Sequence, residues 1–465
     1  MEKTQEFIQK NKENFLAALF TLLRLPSISA DKSYQKEVRK TAELVAELLV
    51  KAGADQVKLL ETEGNPVVYG EKIIDPNLPT VLVYGHYDVQ PAVPLELWET
   101  PAFEPTIKKT EIHPDGAIFA RGSTDDKGQM FMHIAAFQAM LESKELTCNV
   151  KFLIEGEEEV GSTNLEKILH QHQEKLKTDV VLISDTALFS NEQPSICVGL
   201  RGILGVEVEI TGANRDLHSG IYGGAVANPI EILARMLAQL KDENYHITIP
   251  NFYEGVEDLS AEERKNNLKH IPFDAEKFKK EIGISDTLGE KNYHILEQTS
   301  IRPTLELNGI WGGYQGEGSK TIIPAKAGAK ITMRLVHKQN PQKIFENFKN
   351  YFLSLAPKAV QVKITEGHSG RAYMLKTNDP AYLAAERAIE KVWGIKPFAK
   401  SDGGSIPITI LFEEVLQAPS VLLGFGLDTD ALHAPNEHFG LFNFYKGIQT
   451  IPYFYLYLAE YFKKG

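Results

Sequence analysis

The chain has 465 residues, more than one hydrophobic core usually supports, so two domains are the default expectation. Hydrophobic content of 43% and charged content of 24% are ordinary for a globular protein, and a net charge of -12 argues against nucleic acid or anionic membrane as the main partner while suiting a carrier of cations. Only two cysteines, Cys148 and Cys197, are present and far apart, which argues against a disulfide framework or a thiolate metal site.

The first residues, MEKTQEFIQKNKENF, are polar, and no secretory signal is expected. No uninterrupted apolar stretch reaches about 18 residues, so no membrane span and a cytoplasmic, reducing location are expected. Apolar residues at helical spacing predict helices over Phe7 to Leu23, closed by Pro26, and over Val38 to Val50, stopped by Gly53. Val67–Tyr69 and the stronger run Thr80–Tyr84 (TVLVY) predict strands, the second covered on both faces. Gly85-His86-Tyr87-Asp88 follows at once. In an extended segment His86 and Asp88 point to the same side, and a carboxylate is a common partner for a metal-bound imidazole. A structural histidine is an equally good reading there.

RGSTDDKG (121–128) then opens an apolar helix from Gln129 to Leu141. Helix capping accounts for one of its acids but not for two. Val150–Ser162 reads VKFLIEGEEEVGS, a buried strand delivering three consecutive acids to the end where open α/β sheets bind ligands. Adjacent carboxylates repel, and a divalent cation would relieve them. A solvated acidic loop fits this stretch equally well. VVLIS (180–184) is another buried strand, with Asp185 at its C-terminal end. Three strands therefore deliver His or Asp/Glu to one edge of a parallel sheet.

After Gly202 the texture changes. Ile203 to Thr211 alternates apolar and polar, a helix is predicted from Asn228 to Leu240, and residues 245–300 read as surface helices and loops. Leu305–Leu307, Ala329–Leu335 and Val360–Ile364 are further alternating strands. From Pro380 the α/β texture returns, with helices over Ala381–Trp393 and Asn443–Tyr461 and a strand over Ser420–Leu423. The expected fold is α/β: a mostly parallel-sheet catalytic domain, 1–201 and 377–465, interrupted by an inserted α+β lid or dimerisation domain, 202–376.

A hard or borderline divalent ion takes carboxylate oxygen and imidazole nitrogen, and His86, Asp125, Glu159, Asp185 and His433 supply that set at predicted strand ends and loops. The segments GHYDVQ, RGSTDDKG, EGEEEVGS, ISD, GLRG, DLHSGIYGG, GGSIPI and LHAPNE, in this order over nearly the whole chain, resemble the M20 family of metallopeptidases. They are most similar to its carnosinase-like, non-specific dipeptidase branch. The resemblance implies two divalent ions, Zn2+ or Mn2+, bridged by Asp125. His86 and Asp185 would complete one shell, and Glu159 and His433 the other. Glu158 would be the general base and acid, and Asp88 would orient His86. Glu157 would stand behind the ligands or face solvent.

By the same carry-over, His218 would stabilise the oxyanion from the other subunit of a homodimer. Thr321, Arg334 and Ser405 would bind the substrate, a dipeptide or short peptide with a free C-terminus. Ser405 and the Gly403–Gly404 amides precede a helix, a natural carboxylate site. Arg201 is read as holding the domain junction. The competing reading is an N-acyl amino-acid deacylase of the same fold, of the acetylornithine or succinyl-diaminopimelate type.

Overall fold

A short run without polar breaks needs cover on both faces, and TVLVY lies at the centre of a nine-stranded mixed sheet. The computed structural model of the protein describes residues 1–257, 259–269, 271, 273–404 and 408–463. Seven strands of this sheet are β1 (Asp55–Leu60), β2 (Val67–Lys72), β3 (Thr80–His86), β4 (Asn149–Glu155), β5 (Val180–Ile183), β6 (Ser195–Leu200) and β7 (Ser420–Leu422). They lie in the order β1-β2-β4-β3-β5-β7-β6. β4, β3, β5 and β7 are parallel neighbours, whereas β1, β2 and β6 join antiparallel.

The sheet is therefore parallel at its centre only. β1 and β2 are joined by a short loop, which permits antiparallel pairing, whereas β3, β4 and β5 are separated by helical crossovers. β1 itself was not anticipated: its residues are half-exposed and show no buried apolar run. The crossover helix Lys127–Ser143 is buried on almost every side, the behaviour of a helix with no polar face. It packs against helices Lys12–Leu23, Gln35–Ala52 and Leu441–Phe462. The single helix expected over Phe7 to Leu23 is two, Glu2–Lys10 and Lys12–Leu23. Between them Asn11 folds its side chain back, Nδ2 donating to the Phe7 carbonyl at 2.9 Å. Gly53, at φ +98°, ends the helix Gln35–Ala52 in the left-handed conformation that glycine adopts freely.

Contacts divide the chain into two units. The first comprises Met1–Val198, Leu375–Lys400 and Leu411–Gly465, the second Gly199–Met374 and Ser401–Ile410. The second has a four-stranded antiparallel sheet in the order Thr304–Gly312, Lys326–Leu335, Gly202–Thr211, Gln361–Gly370. Along Gly202–Thr211 burial alternates residue by residue, so Leu204, Val206, Val208 and Ile210 form one apolar face. Leu233, Met236 and Leu237 of helix Pro229–Ala238, and Ile344, Phe348 and Phe352 of helix Pro341–Ser354, cover that face. Asn228 caps the first of these helices, its side chain accepting from the Ile230 amide at 3.0 Å. No helix among the described residues is long and apolar enough to cross a membrane.

Candidate metal centre

Parallel pairing in register is what gathers the site. His86 is the last residue of β3 and stands opposite Glu155, the last of β4, while Asp185 lies two residues beyond β5. Asp125 comes from the turn before helix Lys127–Ser143, and Glu159 from a single helical turn after β4. His433 sits in the loop between β7 and the closing helix. Three residues of that loop, Ala431, His433 and Asn436, hold positive φ values of 57°, 58° and 67°. Such backbone persists only where the surroundings enforce it. Asp430 does so, accepting the Leu427 amide on Oδ2 at 2.9 Å and the His438 amide on its carbonyl at 3.0 Å.

His86 Nε2 lies 3.0 Å from Asp125 Oδ1 and 3.7 Å from Asp185 Oδ2. His433 Nε2 lies 2.8 Å from Asp125 Oδ2 and 3.3 Å from Glu159 Oε2. The two oxygens of Asp125 thus face two different imidazoles, each with a further carboxylate. These are two of the three groups among the described residues whose donor atoms could converge on an ion. Ligand atoms at about 2.0–2.2 Å on one tetrahedral ion stand roughly 3.3–3.6 Å apart, so the oxygen and nitrogen donors fit divalent ions. The third group is His113, Asp430 and His438, all buried or half-buried.

His86 Nδ1 is 3.1 Å from the Asp88 carbonyl, which can only accept. That nitrogen therefore carries a proton, and Nε2 is the atom offered to an ion. The Asp88 carboxylate is 3.4 Å from the same Nδ1, and its two oxygens also accept the amides of Glu158 at 3.3 Å and Glu159 at 3.2 Å. Asp88 thus anchors the acidic turn as well as the histidine. Gln90 continues the alternation of 86 and 88 and does similar work. Its amide donates to Glu159 Oε1 at 3.1 Å and its side chain to Oε2 at 2.8 Å. The period-two spacing in GHYDVQ is the sequence signal for Gln90.

The three glutamates separate cleanly. Glu157 is buried and turned away, accepting from the Asn65 amide at 3.0 Å and from Asn164 Nδ2 at 2.7 Å. Burial, with the charges of Asp185, Asp125 and Glu159, pushes Glu158 up to about 9 against the pull of His86. Burial and then the Asp125 charge push Asp185 up to about 7. Burial also opposes the charge on Asp125, but hydrogen bonds from His433 and His86 outweigh it and hold this carboxyl well below the usual range. The bond to Asp125 raises His433 to about 10. Crowded carboxylates here share protons that positive ions would replace. Asp126, the residue just before helix Lys127–Ser143, makes no side-chain cap and instead accepts the His86 amide at 3.1 Å.

The remaining expected residues that the structure describes belong to the second unit. His218 caps a short helix, Nδ1 accepting the Gly220 amide at 3.0 Å, and pairs with Ile322 beside Thr321, whose carbonyl accepts the Ser219 amide at 3.0 Å. Arg334 stands between Ile203 and Thr304 in the antiparallel sheet, half-buried, and burial lowers its guanidinium. Arg201 donates to the carbonyls of Gly403 at 3.0 Å, Arg302 at 3.2 Å and Gln298 at 3.3 Å, all in its own unit. Ser405 lies outside the described residues.

A mixed α/β sheet that gathers two imidazole–carboxylate groups around one shared aspartate defines the class: a protein built to hold divalent metal. A profile of peptidase family M20/M25/M40 matches residues 82–456, and the chain belongs to that family. A Cys-Gly metallodipeptidase of Schizosaccharomyces pombe is 33% identical, the match covering 97% of this chain and 96% of that one. The beta-Ala-His dipeptidase of Homo sapiens is 30% identical over 99% and 93% of the two chains. Among solved structures, a di-peptidase of Saccharomyces cerevisiae superposes with a TM-score of 0.81 at 31% identity, covering 99% of this chain and 98% of the other. An M20 family metallo-carboxypeptidase from Sulfolobus solfataricus gives 0.82 at 33% identity, covering 96% and 99%. The protein is therefore a metallopeptidase, and the deacylase alternative is not favoured.

Proposed function

We propose that the chain is a dinuclear metallodipeptidase that hydrolyses dipeptides with a free C-terminus, with Zn2+ or Mn2+ as the ion. The observation that carries this reading is the Asp125 carboxylate, which faces His86 with one oxygen and His433 with the other. Asp125 would offer one oxygen to each ion, His86 and Asp185 would hold one, and Glu159 and His433 would hold the other. The chemistry such ions would supply there is acidification of a water and polarisation of the peptide carbonyl.

Glu158 takes the proton from the attacking water and delivers it to the leaving amine. Positive charge on its neighbours lowers it from about 9 toward the range of a base at neutral pH. Asp88 keeps Glu158 and His86 in place through the bonds described above. Arg334, Thr321 and Ser405 recognise the substrate, and a guanidinium suits a C-terminal carboxylate. The catalytic role falls to the segments read as 1–201 with 377–465, and the lid role to the segment read as 202–376.

The active form is a homodimer in which His218 reaches the partner's site to stabilise the oxyanion. The segment around His218 supports this, because it is open to solvent yet apolar: Ile221 is 72% exposed, and Tyr222 and Val226 are also uncovered. Ile310 and Trp311 add exposed apolar surface on the edge strand Thr304–Gly312. Unpaired edges and patches of this kind are ordinarily covered. Two buried free cysteines, Cys148 and Cys197, suit a cytoplasmic location.

A panel of Xaa-Gly and β-Ala-His dipeptides, tripeptides, C-terminally amidated dipeptides and N-acetyl amino acids, assayed with Zn2+ and Mn2+, tests the reading. Turnover confined to dipeptides with a free carboxylate is expected. Faster release of a C-terminal residue from longer peptides would make the chain a carboxypeptidase instead.

A further inference from the structure

Ligands drawn from distant stretches need something to keep the stretches in register. Glu437 is fully buried in the first unit, four residues beyond His433 and at the end of the LHAPNE motif. Its Oε1 accepts the amides of Thr124 at 3.0 Å and Asp125 at 3.1 Å. Its Oε2 accepts the Gly122 amide at 2.9 Å and Arg121 Nη1 at 2.8 Å. The Glu437 carbonyl takes the Ala120 amide at 3.1 Å, and Thr124 Oγ1 donates to the next carbonyl, that of His438, at 2.7 Å. One side chain is thus the acceptor for three consecutive-turn amides that include the amide of Asp125 itself.

We propose that Glu437 is a positioning residue for the metal centre, fixing Asp125 relative to His433 so that the bridging carboxylate and the loop histidine move as one piece. Neither Glu437 oxygen is directed at the imidazoles or at Glu158, so its action passes through the 121–125 turn. A carboxylate suits the task because all four of its neighbours are donors. Arg121 is itself fixed at its other end, donating through Nη2 to the Pro91 carbonyl at 3.3 Å and lying over the Trp98 ring. This inference rests on the reading of Asp125 and His433 as ligands.

The test is a calorimetric Zn2+ titration of the full chain, stripped with chelator, comparing wild type, Glu437→Gln and Leu49→Ala. Glutamine keeps the shape but sets an NH2 group against donors. Leu49→Ala opens a cavity under helix Gln35–Ala52 and lowers the melting temperature without touching either segment. Glu437→Gln is expected to weaken Zn2+ binding by about 10–100-fold and to lower kcat at saturating Zn2+ with KM within about twofold. Leu49→Ala is expected to bind Zn2+ as wild type does. Should Glu437→Gln not fold, Glu437→Asp, which keeps the charge but retreats from the amides, is read in the same way. Equal Zn2+ affinity in wild type and the Glu437 variant overturns the proposal, as does an equal loss in Leu49→Ala. Failure of the wild type to take up Zn2+ overturns the metal-centre reading instead.

Discussion

Replacing Glu158 with glutamine separates proton transfer from metal binding. Its side chain makes none of the four close imidazole–carboxylate approaches, which belong to Asp125, Asp185 and Glu159. Its backbone is held by the Asp88 carboxylate at 3.3 Å whatever the side chain is. Glu158→Gln is isosteric and should leave the ions where they are. What it removes is the group that accepts and returns a proton, a contribution of about 10²–10⁴-fold. At 1.36 kcal/mol per tenfold, that is roughly 3–5 kcal/mol of transition-state stabilisation. Because the loss falls on the transition state, kcat and kcat/KM should drop together while KM holds. Steady-state hydrolysis of a dipeptide, followed by ninhydrin or chromatographic detection, paired with elemental analysis of the same preparation, gives both numbers. Wild-type turnover in Glu158→Gln would refute the assignment of the base. Loss of the metal would show that Glu158 is a ligand and that the acidic turn has been read one residue out of register.

Mixing Glu158→Gln with His218→Ala, each inactive alone, should recover about a quarter of wild-type activity after subunit exchange, because half the dimers then hold one intact composite site. No recovery would place His218 in cis or outside catalysis. The affinity for Zn2+ should rise with pH, because Asp185, near 7, and His433, near 10, must shed protons to ligate. Calorimetry in buffers of different ionisation enthalpy should therefore register proton release, and pH-independent binding without it would contradict the site electrostatics. His133 should make the fold acid-sensitive. Ser184 Oγ donates to the Leu423 carbonyl and so accepts from His133 Nε2 at 2.8 Å, leaving Nδ1 unpaired and unable to take a proton cheaply. Burial lowers this histidine to about 3, so below 6.5 the unfolded chain binds a proton that the folded chain refuses. Stability should be full above pH 6.5 and fall as the pH drops toward 3, more steeply in wild type than in His133→Gln, as read from urea midpoints.

Much of this was legible in the residues because the informative signals are local. TVLVY, VKFLIE and VVLIS are unbroken apolar runs ending in His or acid, and parallel pairing of β3 with β4 and β5 brings those ends to one edge. The turn RGSTDDKG was legible as chemistry but not as geometry. Asp126 carried no role in the sequence reading, yet its carboxylate meets the His86 amide from a strand 40 residues away. β1 was missed because its side chains are half in solvent and carry no apolar alternation. Asn11 was missed because the apolar spacing continues through it while the backbone turns. Glu437 was invisible for a different reason. A residue that acts by accepting hydrogen bonds across hundreds of positions leaves no periodic trace, and only the folded neighbours reveal what it holds.

Anomalous diffraction from crystals of the chain grown with Zn2+ examines the heart of the account without passing through kinetics. Two peaks are expected on either side of the Asp125 carboxylate, one within coordination distance of His86 and Asp185, the other of Glu159 and His433. A lone peak, or ions seated away from Asp125, would contradict it.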